Sequence, residues 1–181
     1  MTRSRPTRCT RTRGKKGEPH RDSADPPRRR ANARRGQGNW DNDRPPVLGV
    51  VGRDSGRVRL HVLRRASKAE VQGPLLAQTA TGAAVYTDTH GAYDGLAGAG
   101  REHRAVDHNP RHPEYARDDD ADGVREVHCN TAEGIWTGLR NFLRTFRGVA
   151  KAYLAQYVAV FEWAYNQTDV TTFLRALLGT S

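Results

Sequence analysis

The chain reads as a mixed α/β fold behind a basic arm. Three observations carry that reading. Short apolar runs bounded by turn residues occupy the middle of the chain, two long amphipathic patterns fill its C-terminal third, and nearly all the net charge sits in the first quarter. The 181 residues suffice for one domain of ordinary size plus a tail. Residues 1–44 hold fourteen Lys and Arg against five Asp and Glu, a local net charge of +9, whereas residues 45–181 are nearly balanced. An arm so polar buries no core of its own, so it is expected to be largely disordered when free.

Order is expected to begin near Pro45-Pro46. Val47 to Gly52 is a short apolar run, read as a central strand. Asp54-Ser55-Gly56 signals a turn, and Arg57 to Leu63 alternates with period two, as the second arm of a hairpin does. Ser67 is placed to cap a helix over 68–78, with Glu70 at the third position of a capping box. Thr81-Gly82 breaks that helix, Ala83 to Thr87 forms the next strand, and Asp88 ends it. A short helix is expected over 91–97, and residues 98–126 look irregular. From Thr131 onward Ile135, Trp136, Leu139, Leu143 and Phe146 recur at three- and four-residue spacing. After Gly148, the residues Val149, Ala152, Tyr153, Tyr157, Val160, Phe161 and Ala164 mark a second amphipathic helix, and a last one is expected over 171–178.

Several function classes drop out. No run approaches the ~18 apolar residues of a membrane span, so no membrane partner is expected. The basic N-terminus lacks the apolar core of a secretory signal. Cys9 and Cys129 sit far apart and make neither a disulfide framework nor a four-ligand zinc site, which fits a reducing cytoplasm. Asp118 to Gly123 resembles the start of a calcium loop, but the twelfth position would be Cys129 where a bidentate Glu is needed. His103, His108 and His112 follow no standard zinc spacing.

Two readings stand side by side for each remaining polar group. Asp88 lies at the carboxyl end of a strand, where sites collect in open α/β sheets, or it caps the turn that follows. Asn130 and Glu133 form a capping box, or they present an amide and a carboxylate to a metal or phosphate at the positive end of a helix. Arg140 is two turns beyond Glu133 on the same face, placed to touch a DNA phosphate or to be solvated. The clusters Arg28-Arg29-Arg30 and Arg34-Arg35 favour a polyanion such as DNA through counterion release, or serve as a solubilising tail.

The segment from Val127 to Val149 closely resembles the C-terminal region of bacterial insertion-sequence transposases related to the eukaryotic Merlin elements. The likeness rests on His-x-Asn-x-x-Glu-Gly-x-Trp at His128 to Trp136, placed after the Tyr86-Thr87-Asp88 strand end. Asp25 to Asn32, Asn42 to Val47 and Val51-Gly52-Arg53 also look like that family, so the resemblance covers roughly residues 15–178. It implies an RNase H-like core of the DDE type with flanking helices. It also implies a Mg²⁺ (or Mn²⁺) pair that supports phosphoryl transfer on DNA, with transposon ends and target as partners and a homo-oligomer on paired ends by analogy. By motif, Asp88 resembles the second metal-binding acid, Asn130 or Glu133 the third position, and Arg140 the basic residue that touches the transposon end.

The departure from the family is at the N-terminus. A first-strand acid is expected in a stretch like Val-Glu-Ala-Asp-Glu-Met-Tyr, yet no Asp or Glu precedes Glu18. Residues Ser4 to Gly14 admit codons that, read one nucleotide earlier after a G, spell Val-Glu-Ala-Asp-Glu-Met-Tyr-Gln-Asn-Ala-Gly. The expectation is therefore a catalytic domain over 45–181 without its first strand, with residues 1–14 out of frame and the first Asp straddling Pro6 and Thr7. Transposase activity is then expected to be impaired. The rival reading is a non-catalytic DNA-binding remnant.

Overall fold

The computed structural model describes residues 2–3, 38–107 and 114–167, and then 171, 174–175 and 178–179. Ten named elements follow in chain order. They are β1 (Thr2–Arg3), β2 (Val47–Val51), β3 (Val58–Val62), α1 (Lys68–Gln78), β4 (Ala84–Asp88), β5 (Glu102–Val106), β6 (Ala116–Arg117), β7 (Val127–His128), α2 (Asn130–Thr145) and α3 (Leu154–Tyr165). Short 3-10 turns occupy Gly91–Tyr93, Ala97–Ala99 and Lys151–Tyr153. The mixed α/β expectation holds at this level. The terminal helix expected over 171–178 falls largely outside the described residues, as do Arg28, Arg29, Arg30, Arg34, Arg35, His108 and His112.

β2 and β3 form the expected hairpin, in register from Val47↔Val62 to Val51↔Val58. The Gly52 amide donates to the Arg57 carbonyl at 2.8 Å, and Gly56 takes the left-handed φ of 64° that the turn requires. All five residues of β2 are buried. Its odd positions Val47 and Val51 join Val58, Leu60 and the stripe of α2 in one cluster, with Leu154 and Val158 of α3. Leu48 points the other way, into a second cluster with Val71 and Leu75 of α1, Val85 of β4, and Tyr93. Burial on both faces explains why β2 reads as an unbroken apolar run, while β3 alternates because Arg59 is exposed between buried Val58 and Leu60.

β4 pairs with β5 in parallel, from Ala84↔Glu102 to Asp88↔Val106. β1 pairs antiparallel with β2 through Thr2↔Val50 and Arg3↔Gly49, and it also lies against β4. The sheet position expected to lack its strand thus holds one among the described residues: β1 stands there. A second correction concerns where order starts. The chain is already organised at residues 38–44, before Pro45: the Asn39 and Asn42 amides and side-chain oxygens bond reciprocally at 2.8 and 2.9 Å. The Trp40 amide donates to the Arg64 carbonyl, and Lys151 Nζ donates to the Trp40 carbonyl.

α1 spans the expected residues, but not by the expected cap. Ser67 makes no side-chain capping bond. Glu70 reaches further back, accepting from the amides of Arg64 at 2.7 Å and Arg65 at 3.0 Å. The other end is held by Arg101, whose guanidinium donates to the Leu76 and Thr79 carbonyls and caps the helix electrostatically.

α2 buries Ala132, Ile135, Trp136, Leu139 and Leu143, close to the expected stripe, with Phe146 left 36 % exposed beyond the helix end. α3 is rotated from the expected face. It starts at Leu154 and buries Leu154 and Val158, leaving Tyr153 and Val160 exposed. Polar edge contacts explain the rotation. Glu162 accepts from the Leu60 amide at 2.6 Å and from Arg59 at 2.8 Å, and Asn166 bonds both the amide and the carbonyl of Val58 at 2.8 Å. These bonds seal the outer edge of β3 against pairing with another chain.

Gly49 marks the tightest contact in this core. A Cβ there would stand 2.9 Å from two ring carbons of Trp136 and 3.2 Å from a Leu60 methyl. The buried indole has nowhere to swing, so Gly49→Ala is expected to cost about 1–3 kcal/mol, measurable as a lower urea midpoint. An unchanged midpoint would mean the indole yields more easily than its packing implies.

Candidate active site

Asp88 is the last residue of β4 and 7 % exposed. The ladder continues one step past it, since the Thr89 amide donates to the Val106 carbonyl at 3.0 Å. The turn that follows is capped by His90, whose Nδ1 accepts from the Ala92 amide at 3.1 Å. The capping alternative for Asp88 therefore belongs to His90.

The start of α2 is also built differently from a capping box. Cys129 is the N-cap, without a side-chain bond, and its carbonyl accepts from the Ala132 and Glu133 amides. Asn130 is already the first helical residue, and both it and Glu133 are exposed on the first turn. Arg140, two turns on, is exposed, and its Nε donates to the Trp136 carbonyl at 3.0 Å.

β7 brings α2 toward the sheet, because it lies beside both β5 and β4. Arg53 ties this junction together. Its guanidinium lies 3.8 Å from the centre of the Tyr86 ring of β4 and donates to the His128 carbonyl at 3.0 Å. A small recess there lies between Arg53, Tyr86 and the His128-Cys129 turn into α2. In the sequence, Val51-Gly52-Arg53 stands out only for its family resemblance. No local signal in the sequence says that Arg53 spans from the hairpin to β4 and β7.

A pair of divalent cations needs several oxygen-bearing side chains converging on one point. Among the described residues, the group of three that converges is Asp118, Asp120 and Glu126, and it does not include Asp88 or Glu133. Nor does that loop read as a metal site. Asp118 accepts from the Ala121 and Gly123 amides, and Glu126 accepts from the Asp119 amide and pairs with Arg104 at 3.3 Å. Asp88 with an exposed Asn130 or Glu133 does not fit a cation pair as the donor set stands. His103 bonds Thr87 Oγ1 at 2.8 Å and is part of the packing around β4.

Three half-buried imidazoles shape the acid response. His61, His103 and His128 are all held below the ordinary value of 6.5, first because burial penalises the charged ring. Glu162 opposes the shift at His61, Asp94 opposes it at His103, and the Arg53 charge adds to it at His128. The unfolded chain therefore binds these protons more readily than the folded one. Their contribution to stability is complete above 6.5 and is lost as pH falls from 6.5 through the lower folded values. A thermal midpoint that drops from about pH 7.5 to about pH 5.5, and drops less in His103→Gln, is the expected result. A flat profile would contradict it.

Residues 16–166 match the ISXO2-like transposase domain. The chain is also 30 % identical over 149 residues to a protein described as "Uncharacterized protein in transposable element ISH50" from Halobacterium salinarum, an alignment covering 82 % of this chain. The chain spans about half of that relative's length, 48 %. No solved structure matches. Among the described residues no helix is long and apolar enough to cross a membrane. The extent of the domain match settles the family: this chain belongs to the ISXO2-like transposases.

Proposed function

We propose that this chain derives from a DDE-type insertion-sequence transposase of the Merlin-related group, with an RNase H-like core, and that its own strand-transfer activity is impaired. One observation carries the proposal. Asp88 sits buried at the carboxyl end of β4, while among the described residues the strand on the β2 side of it is Thr2–Arg3, which brings no carboxylate. The antiparallel β1-β2-β3 sheet, with β1 against the parallel β4-β5 pair, supports the core assignment.

In this reading Asp88 and Asn130 or Glu133 are two of three metal-holding positions, served by Mg²⁺ or Mn²⁺ when a third oxygen donor is present. Without it the chain holds no cation pair and performs no metal-dependent step. What it retains is DNA contact. The exposed face of α2 carries Arg140 and Arg144, and the Arg-rich segment 28–35 adds positive charge in sequence. The partners are transposon ends and target DNA, engaged by a homo-oligomer.

The test is a strand-transfer assay with Mg²⁺ and paired transposon ends, run beside a salt titration of DNA binding. The expected result is salt-dependent binding with no strand transfer, and binding that survives Asp88→Ala. Strand transfer that Asp88→Ala abolishes would overturn the impaired reading and make the chain a working transposase. Binding that ignores salt would count against a phosphate-directed surface.

A further inference from the structure

We propose that α3 guards the outer edge of β3, and that with this guard drawn aside β3 pairs antiparallel with β3 of a second copy. The inference rests on the sheet geometry and needs neither the chemistry nor the DNA contact proposed above.

The hairpin register decides which peptide groups point where. The Gly52 amide donates to the Arg57 carbonyl and the Leu63 amide to the Pro46 carbonyl, both at 2.8 Å. Bonded and non-bonded residues alternate along an antiparallel pair, so Arg59 and His61 also turn their peptide groups toward β2. Val58, Leu60 and Val62 turn theirs to the opposite side. A neighbouring strand would take up those outward groups, and α3 takes them up with side chains instead. The Asn166 side-chain amide accepts from the Val58 amide and donates to the Val58 carbonyl, both at 2.8 Å, as a residue of a paired strand does. Glu162 accepts from the Leu60 amide at 2.6 Å. The spacing allows this: four residues of helix rise ~6 Å and two residues of strand span ~6.8 Å.

α3 is hung so that it can leave. It follows Arg147 and Gly148, consecutive residues with φ of 54° and 132°. The left-handed conformation is unfavourable for Arg147, which marks the link as a strained one. α3 buries Leu154 and Val158 fully, while Val160, Trp163 and Tyr165 stay exposed. Its hold on the β3 edge is a set of side-chain bonds, which break without unravelling the helix.

β3 suits itself as a partner. Pairing about a two-fold axis at Leu60 sets Leu60 opposite its counterpart and Val58 opposite Val62, so the outward groups of the two copies satisfy one another. The same register sets Arg59 opposite His61. That ring is uncharged at neutral pH, since burial holds it below 6.5, so no like charges meet.

The test removes the guard with the double variant Glu162→Ala/Asn166→Ala. Sedimentation velocity is expected to show self-association about tenfold tighter than in the unaltered chain. Hydrogen exchange locates the contact. The Val58 and Leu60 amides should be protected in a concentrated sample and exchange freely on dilution, while Arg59 and His61, bonded to β2, stay protected throughout. Adding His61→Lys should return association to the unaltered level, because like charges then face each other across the two-fold axis. Association no tighter than that of the unaltered chain, association that leaves Val58 and Leu60 unprotected, or association that survives His61→Lys would each overturn the proposal. If the double variant loses protection at Arg59 and His61, the hairpin itself has opened, and Asn166→Ala alone carries the test. It frees Val58 and should tighten association by a smaller factor in the same direction; an unshifted single variant would then overturn the proposal.

Discussion

Trp136→Ala is expected to destabilise the fold by about 3–5 kcal/mol, the cost of emptying a large aromatic site in a packed core. That is a large fraction of the ~5–15 kcal/mol that holds an ordinary domain. The indole is 2 % exposed and belongs to the cluster that joins the hairpin to α2 and α3. Its outer ring carbons occupy the room that Gly49 leaves on β2. No neighbouring side chain can fill such a void without leaving its own place in that cluster. Trp136→Phe makes the argument sharper. Because the indole N–H has no partner among the described residues, the replacement forfeits volume and no hydrogen bond. It should therefore cost only a fraction of the alanine loss. Urea unfolding of both variants measures this. An alanine loss below about 1 kcal/mol would place Trp136 outside the core it is drawn in.

What could be read from the sequence follows from where periodicity is strong. The hairpin, α1, β4 and the stripe of α2 were legible because their apolar residues face a core with the period of their element. β5 was not. Glu102-His103-Arg104-Ala105-Val106 buries only Val106 and is held by parallel pairing to β4, which leaves no apolar alternation to see. α3 is legible as a helix, but its face only in part: Tyr157 and Phe161 pack on the core as its stripe predicts, while Val160 is exposed and Leu154 and Val158 are buried instead. Its orientation is fixed by Glu162 and Asn166 bonding the backbone of β3, and a hydrophobic stripe cannot announce that. The site divides in the same manner. Asp88 and the α2 motif stood out by residue type and spacing. The failure of the capping box at Asn130, the cap at His90 and the reach of Arg53 to Tyr86 are long-range or stereochemical facts with no local signature.

On the proposed reading, replacing residues 4–14 by the peptide their shifted codons can spell is expected to have the largest effect of all, a gain of function. A variant in which residues 4–14 read Val-Glu-Ala-Asp-Glu-Met-Tyr-Gln-Asn-Ala-Gly replaces a stretch without any Asp or Glu by one with three. If the new segment continues β1, it is expected to bring a carboxylate toward the strand that ends on Asp88. Two carboxylates brought close repel one another unless a cation lies between them, so the restored chain should gain thermal stability on adding Mg²⁺ or Mn²⁺ while the present chain does not. Strand transfer on paired ends should rise from background by orders of magnitude, and either Asp88→Ala or replacement of the restored Asp by Asn should return it to background. The double change should be no worse than either single change, because the two acids would hold the same ions. A chain so altered that folds, protects β2 and β4 from exchange, and still neither binds metal nor transfers strands would overturn the proposal that a first-strand acid is what this chain needs for activity. The coding DNA bears on the same point: codons for Ser4 to Gly14 that cannot spell the shifted peptide would leave the restored segment a designed strand rather than a recovered one.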